Sequence, residues 1–289
     1  MMHEKLKGLP KIIYLNSKHH SERDDEMKTQ FDLLGIENYE RYEKEYTNKN
    51  IEEDLGLHDW LKFIEDDFTA LSVEELSITL DHYNAIVKWL DTSDDDVCII
   101  MDDVVNMDTI EYWHFDWEKF YYRLPYNWDC IQLFVNSTNE QIRTYLHPWR
   151  KTSRSTRCYM ITRQFAKKVK KFHYKDGKFR LYYPNKDRSH YEPDEGSVEV
   201  TLFDLGITYS CPLFRLTDMF MESDELDIRM CRDRLSSQAI QYFWNYAISV
   251  QSNEEFFNYG YSQDWKRIVT FDMKSEWVHQ NKEKILVWI

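Results

Sequence analysis

Glycine and proline are scarce in this chain, seven and six among 289 residues. Usage so far below average excludes collagen-like, Gly/Ser-linker and most turn-rich all-β chains, so long elements joined by few tight turns are expected. Cysteine is scarce as well. The five present (Cys98, Cys130, Cys158, Cys211, Cys231) are odd in number, widely spaced and free of any CxxC pair, which signals neither a disulfide framework nor a zinc ribbon. No window approaches about 18 continuous apolar residues, and Met1 to Lys11 has no apolar stretch like that of a secretory signal. A cytoplasmic protein with no integral membrane span is expected. What is present is apolar material for one substantial core or two small ones, at 42% hydrophobic and 16% aromatic residues.

Charge is uneven. The net value of −14 argues against binding of nucleic acid or of an anionic membrane by the protein as a whole. The segment from Arg143 to Arg188 nevertheless holds fifteen Lys/Arg against two acids, Asp176 and Asp187, so it stands at +13 and the remainder at −27. Clustered cations suit an anionic ligand such as a diphosphate. Ala166 to Phe172 reads as a solvated helix face, whereas Arg150, Arg154 and Arg157 lie in a Ser/Thr-rich stretch without helical period and are candidates for a phosphate-facing loop.

Hydrophobic patterning predicts strands interleaved with helices. Lys11 to Leu15 reads as a strand, and a helix opening near Ser21 carries Met27, Phe31 and Leu34 on one face until Gly35 closes it. Ser72 with Glu75 forms a capping-box pattern, after which Leu76, Leu80, Tyr83, Val87 and Leu90 repeat at helical spacing. Val97 to Met101 is apolar without alternation, as in a strand covered on both faces of a mostly parallel sheet. Ile131 to Val135 and Cys158 to Ile161 predict further strands, with a helix over Gln164 to Phe172. Beyond Pro212 the pattern turns helical, with Ala239, Phe243, Ala247 and Val250 in one register. The expectation is an α/β domain over 1–212 with a helical C-terminal extension over 213–289 packed on it.

Ligands of open α/β sheets bind at the carboxyl ends of the strands, and Asp102-Asp103 stands where an apolar strand stops. Hard carboxylate oxygens there suit Mg²⁺ or Mn²⁺ bridging the phosphates of a nucleotide diphosphate, with an ordinary acidic turn as the competing reading. No GxGxxG follows any strand, which disfavours a dinucleotide oxidoreductase.

Taken in order, Ile12-Ile13-Tyr14-Leu15-Asn16, Arg23, Leu76 to His82, Ile99 to Val104, Trp128 to Leu133, Thr156 to Ile161 with Ala166-Lys167-Lys168, and Pro193-Asp194 resemble glycosyltransferase family 25, the lipooligosaccharide sugar transferases and collagen galactosyltransferases. The resemblance spans about Lys11 to Pro212. It implies a GT-A fold, a UDP-sugar donor, a divalent metal (Mn²⁺ or Mg²⁺) and inverting transfer of a hexose to a hydroxyl of a glycan or other acceptor. It assigns Asp103 to metal and diphosphate, Asp102 to metal or donor ribose, and Asn16 and Arg23 to the nucleotide loop; His82 goes to the donor site and Asp194 becomes the general base that an acceptor hydroxyl needs.

Two departures stand out. Met101 replaces the first Glu of the family's Glu-Asp-Asp, and Asp81 precedes His82 where the family has Ser. A noncatalytic nucleotide or glycan binder that kept the fold is therefore the alternative expectation. The aromatic interval Tyr112 to Trp117 and Tyr182-Tyr183-Pro184 could stack on an acceptor sugar, with core packing the plainer reading.

Overall fold

The computed structural model describes residues 2–43, 73–137, 141–180, 198–217, 228–247, 252–258 and 268–270. Ser72, the Tyr182-Tyr183-Pro184 and Pro193-Asp194 segments, and Val250 lie outside the described residues. Among those described, no helix is long and apolar enough to cross a membrane.

The architecture is a mixed α/β sandwich with a largely parallel central sheet flanked by helices. Its seven strands are β1 (Lys11–Asn16), β2 (Tyr39–Glu43), β3 (Val97–Asp102), β4 (Cys130–Gln132), β5 (His147–Pro148), β6 (Cys158–Thr162) and β7 (Thr208–Ser210), in spatial order β2-β1-β3-β6-β4-β7-β5. β1 is parallel to β2 and β3, and β7 to β4; β6 is antiparallel to β3 and β4, and β5 to β7. Five strands thus run one way and two the other. The carboxyl ends of β1, β3, β4 and β7 share one edge with the start of β6.

Side-chain alternation along each strand divides the interior in two. Ile12, Tyr14, Ile99, Met101, Ile131, Cys158 and Met160 face one core, covered by α1 (Ser21–Leu34) through Met27 and Phe31. Ile13, Leu15, Cys98, Ile100, Cys130, Tyr159 and Ile161 face the other, covered by α2 (Val73–Thr92), α4 (Arg163–His173) and α5 (Val198–Phe203). Both faces of β3 are apolar, which is why it reads as a continuous hydrophobic run. Gly35 ends α1 in the left-handed conformation at φ 66°, a backbone state that favours glycine.

One expectation changes in detail, and two open readings resolve. The strand expected over Ile131 to Val135 begins one residue earlier and stops at Gln132, because the amides of Leu133 and Phe134 both turn to the one carbonyl of Cys158 and the chain leaves the ladder. Trp113, Phe115 and Trp117 fill the first core beside α3 (Trp117–Tyr122), so this aromatic run packs inward. Within the basic segment Lys167 and Lys171 stay exposed, as on a solvated helix face, while Lys168 pairs with Asp129 at 2.6 Å, Lys170 with Asp91 at 2.7 Å, and Arg163 donates to the carbonyls of Ser93 and Leu90 at the end of α2.

The described tail shares the first core, through Leu213, Phe214, Ile240, Phe243 and Trp244, the last two at and beyond the end of α6 (Ile228–Tyr242). It adds strand to the expected helix, since Ile268–Thr270 pairs antiparallel with Gln141–Arg143.

Candidate functional site

Where β1 and β3 end side by side, the amide of Asp103 donates to the carbonyl of Leu15 at 3.1 Å, drawing the residue after β3 against the end of β1. Asn16, fully buried, donates through Nδ2 to Asp103 Oδ2 at 2.8 Å and to the His20 carbonyl at 3.0 Å. Two acceptors fix the orientation of the amide, and its Oδ1 is left buried with no partner among the described residues. From the first turn of α1, Arg23 Nη1 lies 3.7 Å from Asp103 Oδ1. Asn16, Arg23 and Asp103, far apart in sequence, meet here.

Asp102 is tied elsewhere. Its amide donates to the Arg157 carbonyl at 2.7 Å and its Oδ2 accepts from Arg157 Nη1, also at 2.7 Å. The Nε and Nη2 of the same guanidinium each lie 3.3 Å from Oδ2 of Asp233 on α6, and Asn136 Nδ2 donates to Asp233 Oδ1 at 2.5 Å. Burial works against the charge on Arg157, but the carboxylates of Asp233 and Asp102 outweigh it and hold the guanidinium protonated more firmly than usual.

The loop that delivers Arg157 is held by the neighbouring strand ends. Gln132, last in β4, donates from Nε2 to the carbonyls of Arg154 at 2.5 Å and Ser155 at 2.9 Å, while Ser210 at the end of β7 donates to its Oε1 at 2.7 Å. Ser155 sits at φ 94°, a region that disfavours any residue but glycine, and its Oγ accepts from the Arg157 amide at 3.1 Å. Arg154 shares this loop, but its Nε turns to the Lys151 carbonyl at 3.3 Å, and Arg150 is exposed.

His82 is buried under the opposite face of the sheet, where its Nδ1 lies 3.0 Å from the Tyr159 hydroxyl. Asp194 lies outside the described residues. Met101, in the place of the family's Glu, points into the first core and offers no oxygen to the edge. Asn136, Gln132, Ser155 and Asp233 escaped the reading of the sequence. Asp233 and Asn136 have no local signal, Gln132 was read only as part of a strand, and Ser155 only as part of the Ser/Thr-rich, aperiodic stretch before Arg157.

Of the charged side chains linked by ion pairs at this edge, Asp102, Asp103 and Asp233 oppose Arg23 and Arg157, and Arg154 adds a cation from the loop before Arg157. Among the described residues no three His, Cys, Asp or Glu cluster as a metal cage. Asp103 and the unpartnered Asn16 Oδ1 instead offer hard oxygens suited to Mg²⁺ or Mn²⁺, ions commonly held by one or two carboxylates together with substrate phosphates and water.

No family profile and no curated protein matches the sequence. Two solved structures resemble the fold loosely. One is A197 from STIV, at 11% identity and TM-score 0.36 over 71% of this chain and 83% of that one. The other is a Bacillus anthracis protein assigned as a glucose-1-phosphate thymidylyltransferase, solved in complex with a sucrose, at 8% identity and TM-score 0.34 over 79% of this chain and 95% of that one. Superpositions this loose say nothing of activity, and the functional reading rests on the side chains at the strand ends.

Proposed function

We propose that the chain is a glycosyltransferase that moves a hexose, glucose or galactose, from a UDP-sugar to a hydroxyl of a glycan or other acceptor, with inversion and with a divalent cation. The observation that carries this reading is the meeting of Asn16, Arg23 and Asp103 at the adjoining carboxyl ends of β1 and β3, the place where open α/β sheets bind their ligands. Asp103, with Asn16 Oδ1, would hold Mn²⁺ or Mg²⁺; when bound, the ion supplies positive charge that stabilises the departing diphosphate. A bare diphosphate would meet three carboxylates here, and a divalent cation would offset them. Arg23 and Arg157 face the phosphates, Arg154 lends charge from the adjoining loop, and Asp102 orients Arg157.

Attack by the acceptor hydroxyl on the anomeric carbon breaks the bond to the diphosphate from the opposite face and needs a base for the hydroxyl proton. Asp194 is the base we propose. The burial of His82 beneath the sheet favours Asp194 over it for this step.

The alternative, a noncatalytic nucleotide or glycan binder, is favoured by one observation: Met101 is turned into the core and Asp102 is already bound by Arg157, leaving one carboxylate for the ion. Thermal stabilisation and heat of binding with UDP, with and without Mn²⁺, against GDP, CMP and NAD, test the shared site. Selective, Mn²⁺-enhanced UDP binding is expected; absence of binding by any nucleotide would remove the transferase and the nucleotide binder, leaving only a glycan binder. Release of UDP from a UDP-sugar, lost in Asp194→Asn while UDP binding persists, separates the enzyme from the binder.

A further inference from the structure

Arg157 is the cation best placed to meet a phosphate at the end of β3, with 30% of its side chain exposed at the edge. The Nε and Nη2 side of a guanidinium is the fork that grips carboxylates and phosphates in pairs. In this fold that side faces Asp233, a buried carboxylate contributed from far along the chain by α6, while Nη1 faces Asp102. Asp233 is itself held by Asn136 at the end of the segment that leaves β4. The residue is thus fixed on both of its oxygens, and it occupies the part of Arg157 that an anionic ligand would use.

We infer that Asp233 is a specificity-determining residue: it competes with anionic ligands for Arg157 and turns away phosphates that arrive without their own cation. This rests on the proposed nucleotide site. A diphosphate bearing Mn²⁺ or Mg²⁺ brings charge that offsets the three carboxylates; inorganic phosphate or pyrophosphate brings none and meets them unscreened. Through this contact the C-terminal segment sets which form of the ligand the sheet edge accepts.

The test is calorimetry of the full-length protein with inorganic pyrophosphate in chelator and with UDP plus Mn²⁺. Asp233→Asn is nearly isosteric. The Asn136 amide can turn to present its unpartnered Oδ1 to the new NH₂ group, so folding is expected to survive, and Asp233→Ser serves as a second uncharged variant. Either variant should tighten metal-free pyrophosphate about tenfold, with a smaller change for UDP plus Mn²⁺. Asp233→Glu, which keeps the charge, should stay close to wild type. In an Arg157→Gln background the gain from Asp233→Asn should shrink to about nothing, a coupling that a merely structural Asp233 would not show. Pyrophosphate affinity unchanged or weakened in the uncharged variants, with wild type still binding UDP, would overturn the inference alone. Failure of wild type to bind either ligand would overturn the nucleotide site and this inference with it.

Discussion

The strand-end edge and the layer beneath α2 and α4 both bury polar groups, and they do so in opposite ways. At the edge the groups are charged and matched: Arg157 lies between Asp102 and Asp233, and Asp103 between Asn16 and Arg23. In the helix layer, beside the Asp129–Lys168 ion pair, hydrogen bonds and ring contacts join neutral side chains. His82 meets Tyr159 at 3.0 Å, Tyr83 meets Thr201 at 2.7 Å, and His173 stacks on Tyr83 with ring centroids 4.2 Å apart. Burial pushes the Tyr159 hydroxyl well above its usual range and pulls His173 down to about 4, against backbone hydrogen bonds that would raise it. A buried charge persists where a partner is supplied, and otherwise burial selects the neutral form. Ligand chemistry belongs to the first region and packing to the second.

Four experiments break or sharpen this contrast. The largest effect is expected for Asp233→Ala, which leaves Arg157 half matched and should cost about 3 kcal/mol in urea denaturation, against about 1 kcal/mol for Asp103→Ala, whose ion pair with Arg23 is the longer, at 3.7 Å against 3.3 Å. Equal losses would mean that the two carboxylates are held alike. Acid should act on the helix layer first. Between about 4 and 6.5 the unfolded chain binds a proton at His173 that the folded form refuses, so stability falls as pH drops through that window. The contribution is at most about 3 kcal/mol, and the loss should be blunted in His173→Gln; a pH profile unmoved by that substitution would place the acid sensitivity elsewhere.

Asp103→Asn should weaken Mn²⁺-enhanced UDP binding about a hundredfold, or about 2.7 kcal/mol by calorimetry, while leaving the fold intact. Metal-enhanced binding that survives would point to Asp102 as the ligand. Smallest is Tyr159→Phe, expected to cost about 1 kcal/mol of stability through the lost hydrogen bond with His82. UDP affinity should not change, and a drop in it would bring His82 back into the functional site.

Much of the fold was legible in the residues because each element declares itself locally. Met27 and Phe31 mark the buried face of α1, Leu76, Leu80 and Tyr83 that of α2, and the doubly apolar run Val97 to Met101 announces a covered strand. The end of β4 was not legible, since Leu133 to Val135 is as apolar as a strand and leaves the ladder only because two amides share the Cys158 carbonyl. The aromatic run at Trp113 was ambiguous for the same reason: a buried ring and a ligand platform have one composition.

Of the candidate site, Asn16, Arg23, Asp102, Asp103 and Arg157 could be picked out from strand ends and from the family resemblance. Their division into two stations could not. Asp102 and Asp103 are adjacent in sequence, yet Asp102, the last residue of β3, joins Arg157 and the C-terminal helix, whereas Asp103, just past the strand, joins the loop after β1. His82 was picked out beside the apolar stripe of its helix and from the family resemblance, and its burial against Tyr159 takes it away from this edge.

The sequence by itself determined the alternation of strands and helices, the two-sided core and the acidic pair at the end of β3, because periodicity and propensity act over a few neighbouring residues. Tertiary structure alone decided that Met101 turns inward, that Lys168, Lys170 and Arg163 of the basic segment meet Asp129, Asp91 and the end of α2, and that Asp233 crosses from the tail to hold Arg157. Those outcomes are electrostatic and steric matches between residues up to 79 positions apart. A pairing of that kind exists only when the chain has closed on itself, and no local pattern records it.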